Sequence, residues 1–230
     1  LPSCAGFLME KEIANLSRVT NAPEHPFVAI IGGAKVSDKY SVIENLLGKV
    51  DKLLIGGGMA NTFLAAMGDI MQKSLVEHDK VELARKMLEM PLAKEKLVLP
   101  VDLVAADGFS NDAKVRVVPT YAIPDDWMAL DIGTETIELF KEHLKDAKTI
   151  IWNGPLGVFE MDKFSHGTME IAQAVADSEA FSVIGGGDSL AAIGRCNAKN
   201  KISHLSTGGG ASLEFLSGKI LPGVAVLTGK

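Results

Sequence analysis

AIIGGAKVSDK, residues 29–39, joins an unbroken apolar run to a glycine pair and then to a polar, helix-like segment. The same arrangement returns in LLIGGGMANTF (53–63), TIIWNGPLGVFE (149–160), SVIGGGDSLAA (182–192) and HLSTGGGASLE (204–214). Near-continuous Val, Ile and Leu, without polar alternation, is the mark of strands buried on both faces, as in a parallel sheet covered by helices on each side. The recurring glycine turn then lies at the carboxyl edge of that sheet, where free N–H groups and helix N-termini favour phosphate.

Working outward, strands are expected near 27–31, 52–55, 97–99, 148–152, 181–184 and 202–205. Helices are expected over 6–19, 79–90, 134–144, 166–176 and 189–195. The fold class is therefore α/β: a doubly wound, mostly parallel six-stranded sheet of Rossmann-like type. The stretch 101–124 breaks the rhythm, with Asp107, Gly108, Asn111 and Asp112 marking a turn before the strand-like KVRVVP of 114–119, and reads as an antiparallel excursion. Residues 1–26 are expected to form a helix and a proline-containing linker, and 27–230 one α/β domain whose phosphate-favouring glycine turns make nucleotide binding the leading expectation.

With 230 residues, 47% of them apolar, the chain has material for one substantial core. A net charge of -6, with only Arg18, Arg85, Arg116 and Arg195 as arginines, argues against a nucleic-acid partner. An anion held here must rely on backbone dipoles and a few lysines. Cys4 and Cys196 make neither a disulfide framework nor a metal-ligand spacing, which fits a reducing cytoplasm. No apolar run approaches membrane-spanning length, and no signal-peptide pattern opens the chain. The P-loop pattern is absent, no G-x-S-x-G elbow occurs, and G-x-G-x-x-G fails at Asn61, Leu190 and Leu213.

The chemistry resides in the glycine turns. Lys35 and Lys39, four residues apart, are expected to share a helical face beside Gly32 and Gly33. Asp188 and Ser189 follow Gly186 and Gly187 at a helix start, where Asp188 serves either as an N-cap or as a ligand for Mg²⁺, which prefers one or two carboxylates plus phosphate oxygens. Asn153 offers a phosphate donor and Glu160 an acceptor for ribose hydroxyls. The bare backbone at Gly57 and Gly58 admits a flat ring, and the 206–212 turn offers further N–H groups. Helix ends contribute about 0.3 to 1 kcal/mol each, up to ~2 when partly buried, against roughly 8 kcal/mol for micromolar binding. The lysines, the divalent ion and apolar contact with a base must supply the remainder.

Taken together, GGAKVSDK, LIGGGMANTFL, WNGPLGVFE, VIGGGDS and STGGGASLE, in this order and spacing, resemble phosphoglycerate kinase, specifically its C-terminal nucleotide-binding domain. LPSCAGFLMEKEI, from Leu1, resembles the segment leading out of that family's N-terminal domain, which has no counterpart here. The resemblance implies that Lys35 and Lys39 contact the nucleotide phosphates, Lys35 being best placed to stabilise the phosphoryl group in flight. Asn153 would bind phosphate, Glu160 the ribose, and Asp188 the Mg²⁺, while Gly186, Gly187 and Ser189 cradle phosphates and Gly33 belongs to the same site. Gly57, Gly58, Leu130, Pro155 and Val158 would line the adenine and ribose pocket, with Ala129 a departure from the family's usual glycine. The implied substrates are ADP or ATP with Mg²⁺, and 1,3-bisphosphoglycerate or 3-phosphoglycerate only through the N-terminal domain, in a family that is usually monomeric. A noncatalytic nucleotide-binding module is the alternative.

Overall fold

The computed structural model describes residues 4–196 and 199–228. In chain order it contains α1 (Phe7–Asn21), β1 (Phe27–Ile31), α2 (Tyr40–Leu47), β2 (Lys52–Ile55), α3 (Gly58–Met67), α4 (Val81–Glu89), α5 (Pro91–Lys96) and β3 (Leu97–Val98). There follow β4 (Asp102–Ala106), β5 (Val115–Pro119), β6 (Met128–Ile132), α6 (Thr134–Lys145), β7 (Thr149–Asn153), α7 (His166–Asp177), β8 (Phe181–Gly185), α8 (Gly187–Arg195), β9 (His204–Ser206), α9 (Gly210–Leu216) and α10 (Pro222–Thr228).

Every residue of β1 is buried, and its side chains alternate between two cores. Phe27, Ala29 and Ile31 join helices α1 to α4 and α9 on one face, while Val28 and Ile30 join α6, α7 and α8 on the other. The sheet that separates these layers runs β3-β2-β1-β7-β8-β9, parallel throughout. The chain starts in the middle, winds to one edge, returns and winds to the other, so β1 and β7 lie side by side at the point where the winding reverses.

The expected excursion is larger than one strand. Between β3 and α6 the chain builds a separate antiparallel sheet, β5-β4-β6, with a bulge between Val104 and Ala105. β4 and β6 escape a hydrophobicity reading because each carries a buried carboxylate, Asp102 and Asp131. The predicted helix 79–90 begins as a 3₁₀ turn over His78–Lys80 and ends at Glu89, two residues before Pro91. The predicted strand 202–205 is displaced to His204–Ser206, and the helix expected from 189 starts at Gly187.

Helix α1 is part of the packed body. Leu16 and Val19 enter the core, and the Glu12 carboxylate accepts hydrogen bonds from His204 Nε2 (3.0 Å), Ser206 Oγ (2.8 Å), Thr207 N (2.8 Å) and Thr207 Oγ1 (3.0 Å). Burial acts to raise the Glu12 pKa, but these hydrogen bonds outweigh it and hold the carboxyl below its ordinary value. The attachment is thus fully formed at neutral pH and weakens as pH falls through that depressed value.

Helix α6 has no capping side chain at Gly133, and its first turn is satisfied from another strand. Asp102 accepts from Glu135 N (3.0 Å), Thr136 N (2.7 Å) and Thr136 Oγ1 (2.6 Å). Asp102→Ala therefore orphans donors that tie the start of α6 to β4, and we expect a loss of about 3 kcal/mol in urea unfolding, with Asp102→Asn recovering part of it. A loss under about 1 kcal/mol for the alanine variant would show that this cap is dispensable.

Candidate active site

At the winding reversal the turns after β1 and β7 are stitched backbone to backbone. Gly32 N donates to Asn153 O (3.0 Å), Gly33 N to Pro155 O (2.9 Å), Gly57 N to Leu156 O (2.9 Å) and Met59 N to Gly33 O (2.9 Å). A Cβ on Gly32 would stand 2.0 Å from the Pro155 carbonyl oxygen, and one on Gly154 would stand 2.2 Å from Gly32 O. Only glycine permits this approach.

Into the junction reaches Lys39, the residue preceding α2, buried to 8% exposure. Its Nζ donates to Gly32 O (2.9 Å), Asn153 O (2.9 Å) and Asn153 Oδ1 (2.6 Å). Burial lowers its pKa to about 8, opposed by the nearby charges of Asp188 and Asp38. The Asn153 amide is thereby fixed with its oxygen on the ammonium. Its Nδ2, fully buried, has no hydrogen-bond partner among the described residues, and a Cβ at Gly186 would lie 3.1 Å from it. An unpaired amide donor beside a helix N-terminus suits an acceptor such as a phosphate oxygen.

The expectation that Lys35 and Lys39 share a helical face is corrected. Both precede α2, in a turn. Lys39 turns inward, whereas Lys35 is exposed and its ammonium has no hydrogen bond or ion pair among the described residues. The glycines release the chain from β1 into a loop, so helical spacing does not apply before Tyr40.

At α8, Gly186 and Gly187 lead into Asp188, which is exposed, and Ser189, which is fully buried. The Ser189 hydroxyl accepts from Gly154 N at 2.6 Å and so locks the turn after β7 to the start of α8. Gly187 faces open space, since an added Cβ meets nothing within 4 Å. No group of three or more His, Cys, Asp or Glu side chains among the described residues could hold a metal by itself. Asp188 fits a divalent ion whose other ligands are phosphate and water oxygens.

Gly33, Gly57, Gly58, Leu130, Pro155, Val158, Glu160 and Asp188 line one cavity of about 700 Å³, a size that suits a ligand of several hundred daltons. Ala129 lies in the same wall. Lys35, Lys39, Asn153, Gly186, Gly187 and Ser189 are outside its lining. The fifth glycine turn is also elsewhere: Ser206 and Thr207 at the sheet edge are engaged by Glu12 of α1.

Sequence reasoning passed over Asp131, Phe109 and Met161, all in the cavity wall. Burial pushes the Asp131 carboxyl up to about 7, against two hydrogen bonds from Gly167 N (2.8 Å) and Ile132 N (2.9 Å). Phe109 sits at the tip of the β4–β5 turn, where only the three-dimensional course of the insertion brings it to the cavity.

The family model described as phosphoglycerate kinase matches residues 1–219. The phosphoglycerate kinase of Moorella thermoacetica is 58% identical over 231 residues, covering 100% of this chain and 59% of the relative. That of Pelotomaculum thermopropionicum is 56% identical with the same coverage. Among solved structures, phosphoglycerate kinase from Coxiella burnetii superposes with a TM-score of 0.95 at 47% identity, covering 98% of this chain and 58% of that one. The enzyme from Pyrococcus horikoshii gives 0.86 at 37% identity, with 97% and 56% covered. The chain thus spans about 59% of the length of the curated relatives it matches, and by family model, sequence and fold it belongs to the phosphoglycerate kinase family.

Proposed function

We propose that this chain is the nucleotide half of a phosphoglycerate kinase, binding Mg-ADP or Mg-ATP for phosphoryl transfer between 1,3-bisphosphoglycerate and ADP. In this reading residues 27–230 are the nucleotide-binding domain and 1–26 the connecting helix and linker. The acyl-phosphate site belongs to the part of the relatives' length that this chain does not span, so turnover by this chain alone is negligible. The working state is a cytoplasmic monomer; among the described residues no helix is long and apolar enough to cross a membrane.

The observation that carries the reading is the unpaired Asn153 Nδ2 beside the buried Lys39 ammonium, at the winding reversal and next to the Gly186–Gly187 start of α8. A nucleotide laid along the cavity has its base and ribose against Gly57, Gly58, Leu130, Pro155 and Val158, with Glu160 accepting from the ribose hydroxyls. Its phosphates reach the α8 N-terminus, Gly33 and Asn153. Lys39 must exchange one of its three carbonyl acceptors for a phosphate oxygen, and the exposed, unpaired Lys35 is free to follow the phosphoryl group. When bound, Mg²⁺ neutralises phosphate charge, and Asp188 is the residue that would hold it. Ser189 acts through the backbone, keeping Gly154 in place. Such transfer depends on positioning and charge neutralisation, without a covalent intermediate on the protein.

Calorimetry with Mg-ADP should show binding that falls about 10- to 100-fold in Lys39→Ala and in Asp188→Ala, in line with the worth of charge-assisted contacts. Unchanged affinity in both variants removes the site. The lysine also sets two opposed pH trends. Its charged form binds phosphate, so affinity should decline as pH rises past about 8. Between about 8 and the ordinary value of 10.5 the unfolded chain holds more protons than the unliganded fold, so this lysine's contribution to stability should grow with pH. Lys39→Met should abolish both trends, and their persistence in that variant would assign them to another group. Finally, a chimera that joins the complementary N-terminal portion of the Moorella relative to this chain should turn over ATP with 3-phosphoglycerate; a folded chimera that binds Mg-ADP without turnover would leave a noncatalytic nucleotide module.

A further inference from the structure

The cavity's nucleoside end is walled by the segment 158–164, which contributes Val158, Glu160 and Met161. This segment is neither strand nor α-helix. Its own backbone bonds are few: Val158 N donates to Leu130 O (2.8 Å), Met161 N to Val158 O (3.0 Å) and Phe164 N to Met161 O (2.9 Å). Two cationic side chains hold it from opposite sides. Arg195, the last residue of α8, donates through Nη1 to Phe159 O and through Nη2 to Asp162 Oδ1 at 2.5 Å. Lys163 extends the other way and donates to Ala113 O (2.8 Å), in the turn between β4 and β5 whose tip bears Phe109.

We propose that Arg195 and Lys163 are positioning residues that clamp the 158–164 segment between α8 and the β4–β5 turn, and so fix the width of the cavity where a nucleoside lies. Neither residue lines the cavity. The clamp ties three walls together: α8, whose first turn carries Asp188; the segment carrying Glu160; and the antiparallel insertion carrying Phe109. Of the two Arg195 contacts, the carbonyl bond matters more. Asp162 is 86% exposed, and an ion pair so open to water adds little, whereas a guanidinium bonded to a main-chain carbonyl fixes the backbone next to Glu160 directly. Lys could reach one of the two acceptors but not fork across both.

This inference rests on the nucleotide reading, and the experiment separates the two. Mg-ADP and Mg-pyrophosphate are titrated against wild-type chain, Arg195→Met, Arg195→Lys, Lys163→Met and Asp162→Asn, with thermal unfolding and amide hydrogen exchange on each. The clamp requires that Arg195→Met weaken Mg-ADP about tenfold while Mg-pyrophosphate changes less than about twofold, because the phosphate end is held independently. Lys163→Met should act in the same sense, Arg195→Lys should recover part of the loss, and Asp162→Asn should have the smallest effect. Exchange at the Val158, Met161 and Phe164 amides should rise in the methionine variants while the melting temperature moves by only a few degrees. Equal loss of both ligands, or unchanged Mg-ADP affinity, overturns the proposal. If the wild-type chain binds neither ligand, the nucleotide reading falls, and the exchange of these three amides in the unliganded variants still decides whether the clamp exists.

Discussion

Two peptide backbones converge at the carboxyl ends of β1 and β7 more closely than any side chain would allow, and their carbonyl groups need a donor. Lys39 supplies it, placing one ammonium on Gly32 O, Asn153 O and Asn153 Oδ1. Buried main-chain groups are almost always paired, and here a charge completes the pairing. That charge is itself costly to bury, which is why its pKa falls to about 8. The arrangement persists because the carbonyl dipoles and the charge of Asp188 offset part of the desolvation. Deleting the ammonium would strand Gly32 O and Asn153 Oδ1 and leave Asn153 O with Gly32 N as its donor, at the meeting point of both cores.

The junction is lopsided in a way that has chemical consequences. Its acceptors are used up: Gly32 O and Asn153 O by Lys39, Gly154 O by Trp152 Nε1 at 2.7 Å. Its spare capacity is on the donor side, in Asn153 Nδ2 and the first N–H groups of α8. A buried donor left without an acceptor costs on the order of 1 to 3 kcal/mol, and its tolerance beside a cation is what supports the proposal of an anion there. The lysine and the amide are not independent contacts, since Lys39 dictates which way Asn153 faces. Ser189 adds a second restraint by holding Gly154 N.

Much of this architecture is legible in the sequence, for a specific reason. The strands of the parallel sheet are buried on both faces, so their apolar runs are uninterrupted, and the backbone contact beyond them demands glycine; both leave plain marks in AIIGG, LLIGGG and TIIWNG. The antiparallel insertion is less legible because β4 and β6 carry Asp102 and Asp131 inward, and a carboxylate in a short strand reads as a turn. Those residues are tolerated because each accepts main-chain N–H groups, from Thr136, 34 residues away, for Asp102 and from Gly167, 36 residues away, for Asp131. The opposite fates of Lys35 and Lys39 are similarly hidden, because the loop after β1 has no period from which a direction could be inferred.

The site's two ends have different mechanical footing. The end proposed for the phosphates stands on the winding reversal itself, where bonds between β1, β7, α3 and α8 segments close at 3.0 Å or less and glycines leave no room for adjustment. The end proposed for the nucleoside sets the 158–164 segment against the β5-β4-β6 sheet, and long side chains more than main-chain ladders join that segment to its neighbours. If a nucleotide lies as proposed, substitutions in the insertion reshape what sits against the base without disturbing where the phosphates sit. On the proposed nucleotide reading, affinity for charge belongs to the parallel sheet and discrimination among nucleosides belongs to the insertion.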